Sequence, residues 1–165
     1  MGKSEKMNFS SVPKNVIELS ALPEATLSTP FQAAALTVLA LCRYCEDSQA
    51  GIEMLNFLKG PQPLSEYEKQ FLHDRMRGKS YLPYSYFSGA SVQNNYTPTK
   101  PLTIEISEDP YSYAEEGYAK LLIKSAGADQ PRPMKLRRKG ADKWFLWEQF
   151  LLSDIRQPLE EDPWA

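Results

Sequence analysis

Tyr118-Ala-Lys-Leu-Leu-Ile-Lys-Ser125, Met134-Lys-Leu-Arg-Arg138 and Trp144-Phe-Leu-Trp-Glu-Gln-Phe-Leu151 decide the fold of this chain. The first segment is rich in β-compatible residues, the second alternates apolar with basic, and the third is aromatic and apolar on both faces. Together they predict a three-stranded antiparallel meander over 118–151. Each gap carries the same tripeptide, Gly127-Ala128-Asp129 and Gly140-Ala141-Asp142, whose glycine can take the positive φ that hairpin turns require. A second hairpin closed through Gly140-Ala141 sets Arg137 opposite Trp144, Leu136 opposite Phe145, Lys135 opposite Leu146 and Met134 opposite Trp147. In that register Met134, Leu136, Phe145 and Trp147 form a core face. Lys135, Arg137, Trp144 and Leu146 form an open one, with a guanidinium beside an indole.

Upstream of the meander the texture is helical. Thr29-Pro30 supplies an N-cap and a first-turn proline, and 31–46 is apolar nearly all round, which predicts a buried central helix. Asp47 or Ser48 caps a second helix carrying Ile52, Leu55, Phe57 and Leu58, stopped by Gly60-Pro61. Ser65-Glu-Tyr-Glu68 is a capping box that opens a third, with Tyr67, Phe71, Leu72 and Met76 at helical spacing and Gly78 at its end. From Tyr81 to Pro98 the chain turns to aromatic, proline and amide residues, in which Tyr84 and Tyr86 permit a short strand. Pro101-Leu-Thr-Ile-Glu-Ile106 alternates as a strand. The expected architecture is α+β, with three N-terminal helices packed on a four- to five-stranded antiparallel sheet that ends in the meander. Residues 1–28 read as a partly ordered N-terminal arm lying on one domain spanning 29–165. Within that domain the helices occupy 30–78, the sheet 81–151 and a docked tail 153–165, since an undocked Trp164 forfeits a large burial gain.

With 165 residues and 42% apolar content, such a domain can bury roughly two-thirds of its unfolded surface. A net charge of −2 and a pI near 5.5 supply no global field for nucleic acid or acidic membranes, so any such partner needs a local patch. The polar start, Met1-Gly-Lys-Ser-Glu-Lys6, reads as neither a signal peptide nor a myristoylation site, and the run Ala33–Cys42 is about half of what spans a bilayer. The expected location is the cytoplasm, where the sequons at Asn8 and Asn95 carry no glycan.

Cys42-Arg-Tyr-Cys45 matches the C-x-x-C spacing, but it lies near the end of an apolar helix, without a second pair, and reads as two small core residues. His73, flanked by Asp74, Arg75 and Arg77, stands on a charged helix face that reads as solvated. It is the chain's one histidine, which excludes sites with several histidine ligands. No serine sits in a G-x-S-x-G setting. The residues Arg132, Lys135, Arg137, Arg138, Lys139 and Lys143 face only Asp142 as counter-charge, and the acidic Glu160-Glu161-Asp162 can neutralise them within the molecule. Tyrosines 81, 84, 86, 96, 111, 113 and 118 concentrate before the meander, as core rim or recognition surface.

Ser85-Tyr-Phe-Ser-Gly-Ala90, Asn94-Asn-Tyr-Thr-Pro98, Gly127-Ala-Asp-Gln-Pro-Arg-Pro133, Trp144-Phe-Leu-Trp-Glu148 and Asp162-Pro-Trp164 resemble an uncharacterised bacterial protein family of unknown function, from about Pro30 onward. The resemblance implies a bacterial, non-secreted protein and lends no catalytic residue. The final hairpin is also similar to the closing strands of NTF2-like domains, which place helices before a curved antiparallel sheet. The expected function is a cytoplasmic binding or interaction module for a protein partner or small ligand, without cofactor, metal or membrane, and a homodimer stays open. Its expected surface joins the 84–98 loop, the 127–133 turn and the open sheet face through Tyr84, Tyr86, Asn94, Asp129, Arg132, Arg137 and Trp144. An NTF2-like ligand binder or enzyme is the alternative, with Tyr86, Asp129, Arg132 and Glu148 as its polar groups. Single-stranded nucleic acid on the basic-aromatic strand is the third reading, and the negative total charge and lack of an RNP-like signature argue against it.

Overall fold

The computed structural model describes residues 2–164, so Met1 and Ala165, the ends of the expected arm and tail, lie outside the described residues. The three predicted helices start where their caps place them. The Thr29 hydroxyl accepts the Gln32 backbone N–H at 3.2 Å and Pro30 opens α2 (Pro30–Glu46). Asp47 closes α2 and caps α3 (Ser48–Lys59) by accepting the Ala50 N–H at 3.1 Å. Ser65 and Glu68 form a reciprocal capping box at the head of α4 (Glu66–Met76). α2 is buried on nearly every side. The fully buried Thr37 hydroxyl is satisfied by donating back to the Ala33 carbonyl at 2.8 Å.

The segment expected as an arm contains a strand, β1 (Ser4–Phe9), and a short helix, α1 (Val16–Ser20). β1 pairs antiparallel with β2 (Leu102–Ser107), Phe9 opposite Leu102 and Ser4 opposite Ser107. As an edge strand with one wet face it buries only Phe9 fully, which is why its pattern is faint in the sequence. β3 (Tyr118–Ile123), β4 (Arg132–Lys139) and β5 (Lys143–Gln149) complete a five-stranded antiparallel sheet in the order β1-β2-β3-β4-β5. Residues 82–86, where a short strand was permitted, form a 3-10 turn instead. Pro83 has no N–H to give to a ladder, and the chain meets β2 just beyond, at the bridge from Phe87 to Ile104.

One face of the sheet, with Ile104, Ile106, Leu121, Met134, Leu136 and Leu146, is covered by α2, and these residues belong to one continuous buried cluster. Among the described residues the other face carries no helix.

The β4–β5 register differs by one residue from the expected one. Three residues rather than two close the hairpin, pairing Lys139 with Lys143, Arg138 with Trp144, Arg137 with Phe145 and Leu136 with Leu146. A one-residue slip moves every side chain to the opposite face. Trp144 and Leu146 therefore join the core, and Phe145 and Trp147 move outward. Outside contacts hold this register, since the Trp144 N–H donates to the Leu27 carbonyl at 2.8 Å and Lys143 Nζ to that of Thr26 at 2.9 Å. A bulge follows, because Lys135 pairs with Glu148 while Leu136 pairs with Leu146, leaving Trp147 unpaired in the ladder. Bulges re-aim side chains, and here Trp147 and Glu148 both fall on the outer side.

Candidate functional site

The helix-free face gathers cations and rings at the outer end of β3, β4 and β5. Tyr118 lies opposite Arg137 across β3–β4. Its ring meets that of Trp147 edge-on, with centroids 5.8 Å apart. The Arg137 guanidinium lies 4.7 Å from the Trp147 ring and 5.6 Å from Tyr118, and Lys135 Nζ lies 4.4 Å from Tyr118. Lys135 is paired with Glu115 at 2.8 Å, whereas Arg137, Arg138 and Lys139 make no ion pair among the described residues. The two rings hold the planar Arg137 guanidinium, which has no carboxylate partner among the described residues, an arrangement suited to carboxylates or phosphates.

Beside this ledge, a groove of about 360 Å³ runs between α4 and β5, lined by Leu55, Leu64, Tyr67, Phe71, Trp147 and Phe150 among others. Tyr67 is 80% exposed, and Phe71 and Phe150 are also exposed, although α4 was expected to turn Phe71 inward. The wall between groove and ledge is Lys59. This buried ammonium donates to Glu68 at 2.9 Å and to the Trp147 carbonyl at 3.3 Å, tying α3 and α4 to the bulge. Gly60 follows with φ +65°, and a Cβ there would lie 2.5 Å from the Phe145 ring, so this glycine is required both by its backbone and by the ring above it.

Burial pushes the Glu68 carboxyl upward, but the Ser65 backbone N–H and the Lys59 ammonium outweigh it and hold the pKa below the ordinary 4.5. A depressed folded-state value stabilises the fold above the unfolded pKa, and that contribution is lost as pH falls through the folded one. Wild type is therefore expected to lose stability from pH 4.5 downward more steeply than Glu68→Gln, measured by urea midpoints. Parallel pH profiles would show that Lys59 does not depend on this carboxylate.

Of the seven expected contact residues, only Arg137 sits on the ledge. Trp144 is in the core beneath Arg138. Tyr86 is buried, its hydroxyl donating to the Leu151 carbonyl at 2.5 Å, and Tyr84 is half-buried against Phe87. Asn94 uses its whole amide inside its own loop, with Oδ1 accepting from Ser91 and Thr97 N–H and Nδ2 donating to the Gly89 and Thr97 carbonyls. Arg132 clamps the tail, donating to the Ser153 and Asp154 carbonyls at 2.9 Å each. Asp129 pairs with Arg156 at 3.1 Å on the surface. The 127–133 turn is thus a seat for the tail, with the Gly127 carbonyl accepting the Arg156 N–H. Tyr86 and Arg132 thus give their donors to tail carbonyls and Asp129 pairs with Arg156, while α2 packs on the inner face of the sheet. Tyr118, Trp147 and Lys59 were missed because no sequence signal marks a bulge or the lysine beneath it.

The tail docks through Leu151, Leu152 and Ile155, with the Tyr96 hydroxyl donating to the Arg156 carbonyl at 2.5 Å. Docking stops there. Trp164, expected to be buried, is 93% exposed, since Pro158 leads the chain into an acidic 3-10 turn that keeps to water.

Cys42 is buried in the core and desolvation raises its thiol pKa, while burial pushes Cys45 up to about 12, so neither is a ready thiolate. His73 is exposed and meets only Asp74, at 3.5 Å. Among the described residues no group of three His, Cys, Asp or Glu could hold a metal, and no helix is long and apolar enough to cross a membrane. No curated protein matches the chain, and no solved structure does. A family model described as a domain of unknown function matches residues 11–159, nearly the whole length, and the chain belongs to that family, DUF6935.

Proposed function

We propose that this domain is a binding module whose recognition face is the ledge of Lys135, Arg137, Tyr118 and Trp147, and that it takes an acidic, aromatic-bearing segment of a protein. The observation that carries this is the Arg137 guanidinium held between two rings without a carboxylate partner among the described residues. Such a cation keeps its donors for an incoming anion, and the adjoining apolar groove offers burial to a neighbouring side chain. Protein is favoured over nucleic acid because Leu55, Leu64, Phe71 and Phe150 in the groove offer apolar contact to a side chain and the total charge is negative. The setting we propose is a bacterial cytoplasm, which suits the free Cys42 and Cys45.

Panning a displayed random-peptide library against the immobilised protein is expected to enrich acidic sequences containing Trp, Phe or Tyr. Arg137→Glu should weaken the selected peptides by about tenfold or more, as loss of a charge-assisted contact plus repulsion predicts. Selection of basic or uncharged peptides, or binding indifferent to Arg137→Glu, would overturn the assignment. So would salt-sensitive binding of single-stranded RNA that exceeds that of any peptide.

A further inference from the structure

The chain itself carries a segment of the chemistry that the ledge fits. From Leu159 to Trp164 it reads Leu-Glu-Glu-Asp-Pro-Trp, three carboxylates between two large apolar residues. Glu160, Glu161 and Asp162 make no ion pair among the described residues, Leu159 is 44% exposed and Trp164 93%. The segment does not drift freely. Its base is fixed by the Arg156 N–H on the Gly127 carbonyl and by Tyr96 on the Arg156 carbonyl, and the 3-10 turn Leu159–Glu161 packs near that of Val92–Asn94. Among the described residues no hydrogen bond or ion pair joins it to the ledge of its own chain.

We infer that the ledge and groove of one copy receive the 159–164 segment of a second copy, and that the exchange is reciprocal, forming a two-fold dimer. This rests on the reading of the ledge as a site for acidic segments. The charges are complementary, three carboxylates against Arg137 and Lys139, which share the outer face of β4, each set without an ion-pair partner in its own chain among the described residues. Drawn out of the Leu159–Glu161 turn, the five residues from Glu160 to Trp164 would span about 13 Å, which sets the acids and the indole on separate parts of a partner surface, the acids toward the cations and the indole toward the groove with Tyr67 and Phe71. An indole there recovers the burial that Trp164 lacks in its own chain. Because each copy offers one segment and one ledge, reciprocal exchange satisfies both pairs at once and closes the assembly at two copies, whereas one-way contact closes only as a larger ring or runs on as a filament.

Sedimentation velocity of the full chain at low salt, over a concentration series, is expected to show a monomer–dimer equilibrium that weakens as salt rises. Trp164→Ala should weaken it by about tenfold, the scale of a lost aromatic anchor. The decisive arm is a charge exchange. Arg137→Glu/Lys139→Glu makes ledge and segment both acidic, and Glu160→Lys/Glu161→Lys makes both basic, so each double variant alone should be monomeric. Mixed in equal amounts they should form a heterodimer, which also shows that both are folded. A wild-type monomer at every concentration, association unaffected by Trp164→Ala, or double variants that do not recover on mixing would each overturn the exchange. If the wild type stays monomeric while library-selected acidic peptides still bind and lose affinity with Arg137→Glu, only the second copy is the wrong occupant. If neither peptides nor a second copy bind, the ledge reading falls with it.

Discussion

Trp144→Ala is expected to cost about 3–5 kcal/mol of stability, the range for truncating a large buried aromatic side chain. Trp144 is 9% exposed, on the face that carries Leu136 and Leu146, with its N–H fixed to the Leu27 carbonyl. Removing the indole leaves a cavity between the hairpin and the segment around Leu27 that the register cannot collapse to fill. Trp147→Ala is expected to cost about 1 kcal/mol, because its half-exposed ring loses a cation-π contact and an edge-on contact rather than core packing. The ordering for binding is the reverse, with acidic-peptide affinity falling in Trp147→Ala and surviving in whatever fraction of Trp144→Ala stays folded. Urea unfolding of the two variants measures the first ranking, and titration with a library-selected acidic peptide the second. The register read from a two-residue turn would give the opposite ranking, so equal or inverted costs would return Trp144 to the surface.

That inversion shows which parts of this molecule a sequence can carry. The helices were legible because Thr29-Pro30, Asp47 and the Ser65–Glu68 box are local devices whose hydrogen bonds lie within four residues. β2 and β3 were legible because one face is buried and the other wet, which writes alternation into the chain. β5 was legible as a strand but not in its facing. Trp144, Phe145, Leu146 and Trp147 are all apolar, so either parity satisfies the pattern, and the choice is made by Leu27, over a hundred positions away in the sequence. The bulge at Trp147 is equally silent, since its partner is the buried Lys59 beneath it. The contact residues suffered for a related reason. Asn94, Arg132 and Tyr86 stood out as polar groups in loops, but their hydrogen bonds are spent holding those loops and the tail. Arg137 survived because rings, rather than acceptors, hold it in place.

Gly51→Ala is expected to destabilise the fold by about 3 kcal/mol, even though alanine is the better helix former by about 1 kcal/mol. α2 and α3 are joined through Asp47 alone, which closes one helix and caps the next, so α3 turns back at once onto the end of α2. At the contact a Cβ on Gly51 would lie 2.5 Å from Tyr44 Cα and 2.6 Å from its Cβ, where ordinary contact begins at 3.4 Å. Those atoms belong to a helix backbone and cannot rotate away, so α3 itself must move. Met54, Leu55 and Leu58 would shift out of the core, and Lys59 and Gly60 would leave their seats beneath Trp147 and Phe145. The ledge should therefore lose affinity for acidic peptides in a variant whose substitution touches no ledge residue. Gly78→Ala serves as the comparison, because its φ of +70° imposes backbone strain of about 1 kcal/mol with no atom within 4 Å of the new methyl. Urea midpoints should fall much further for Gly51→Ala than for Gly78→Ala. If the two variants are alike, the α2–α3 corner has room for a methyl group, and the seating of Lys59 and Gly60 against Trp147 and Phe145 does not depend on that close approach.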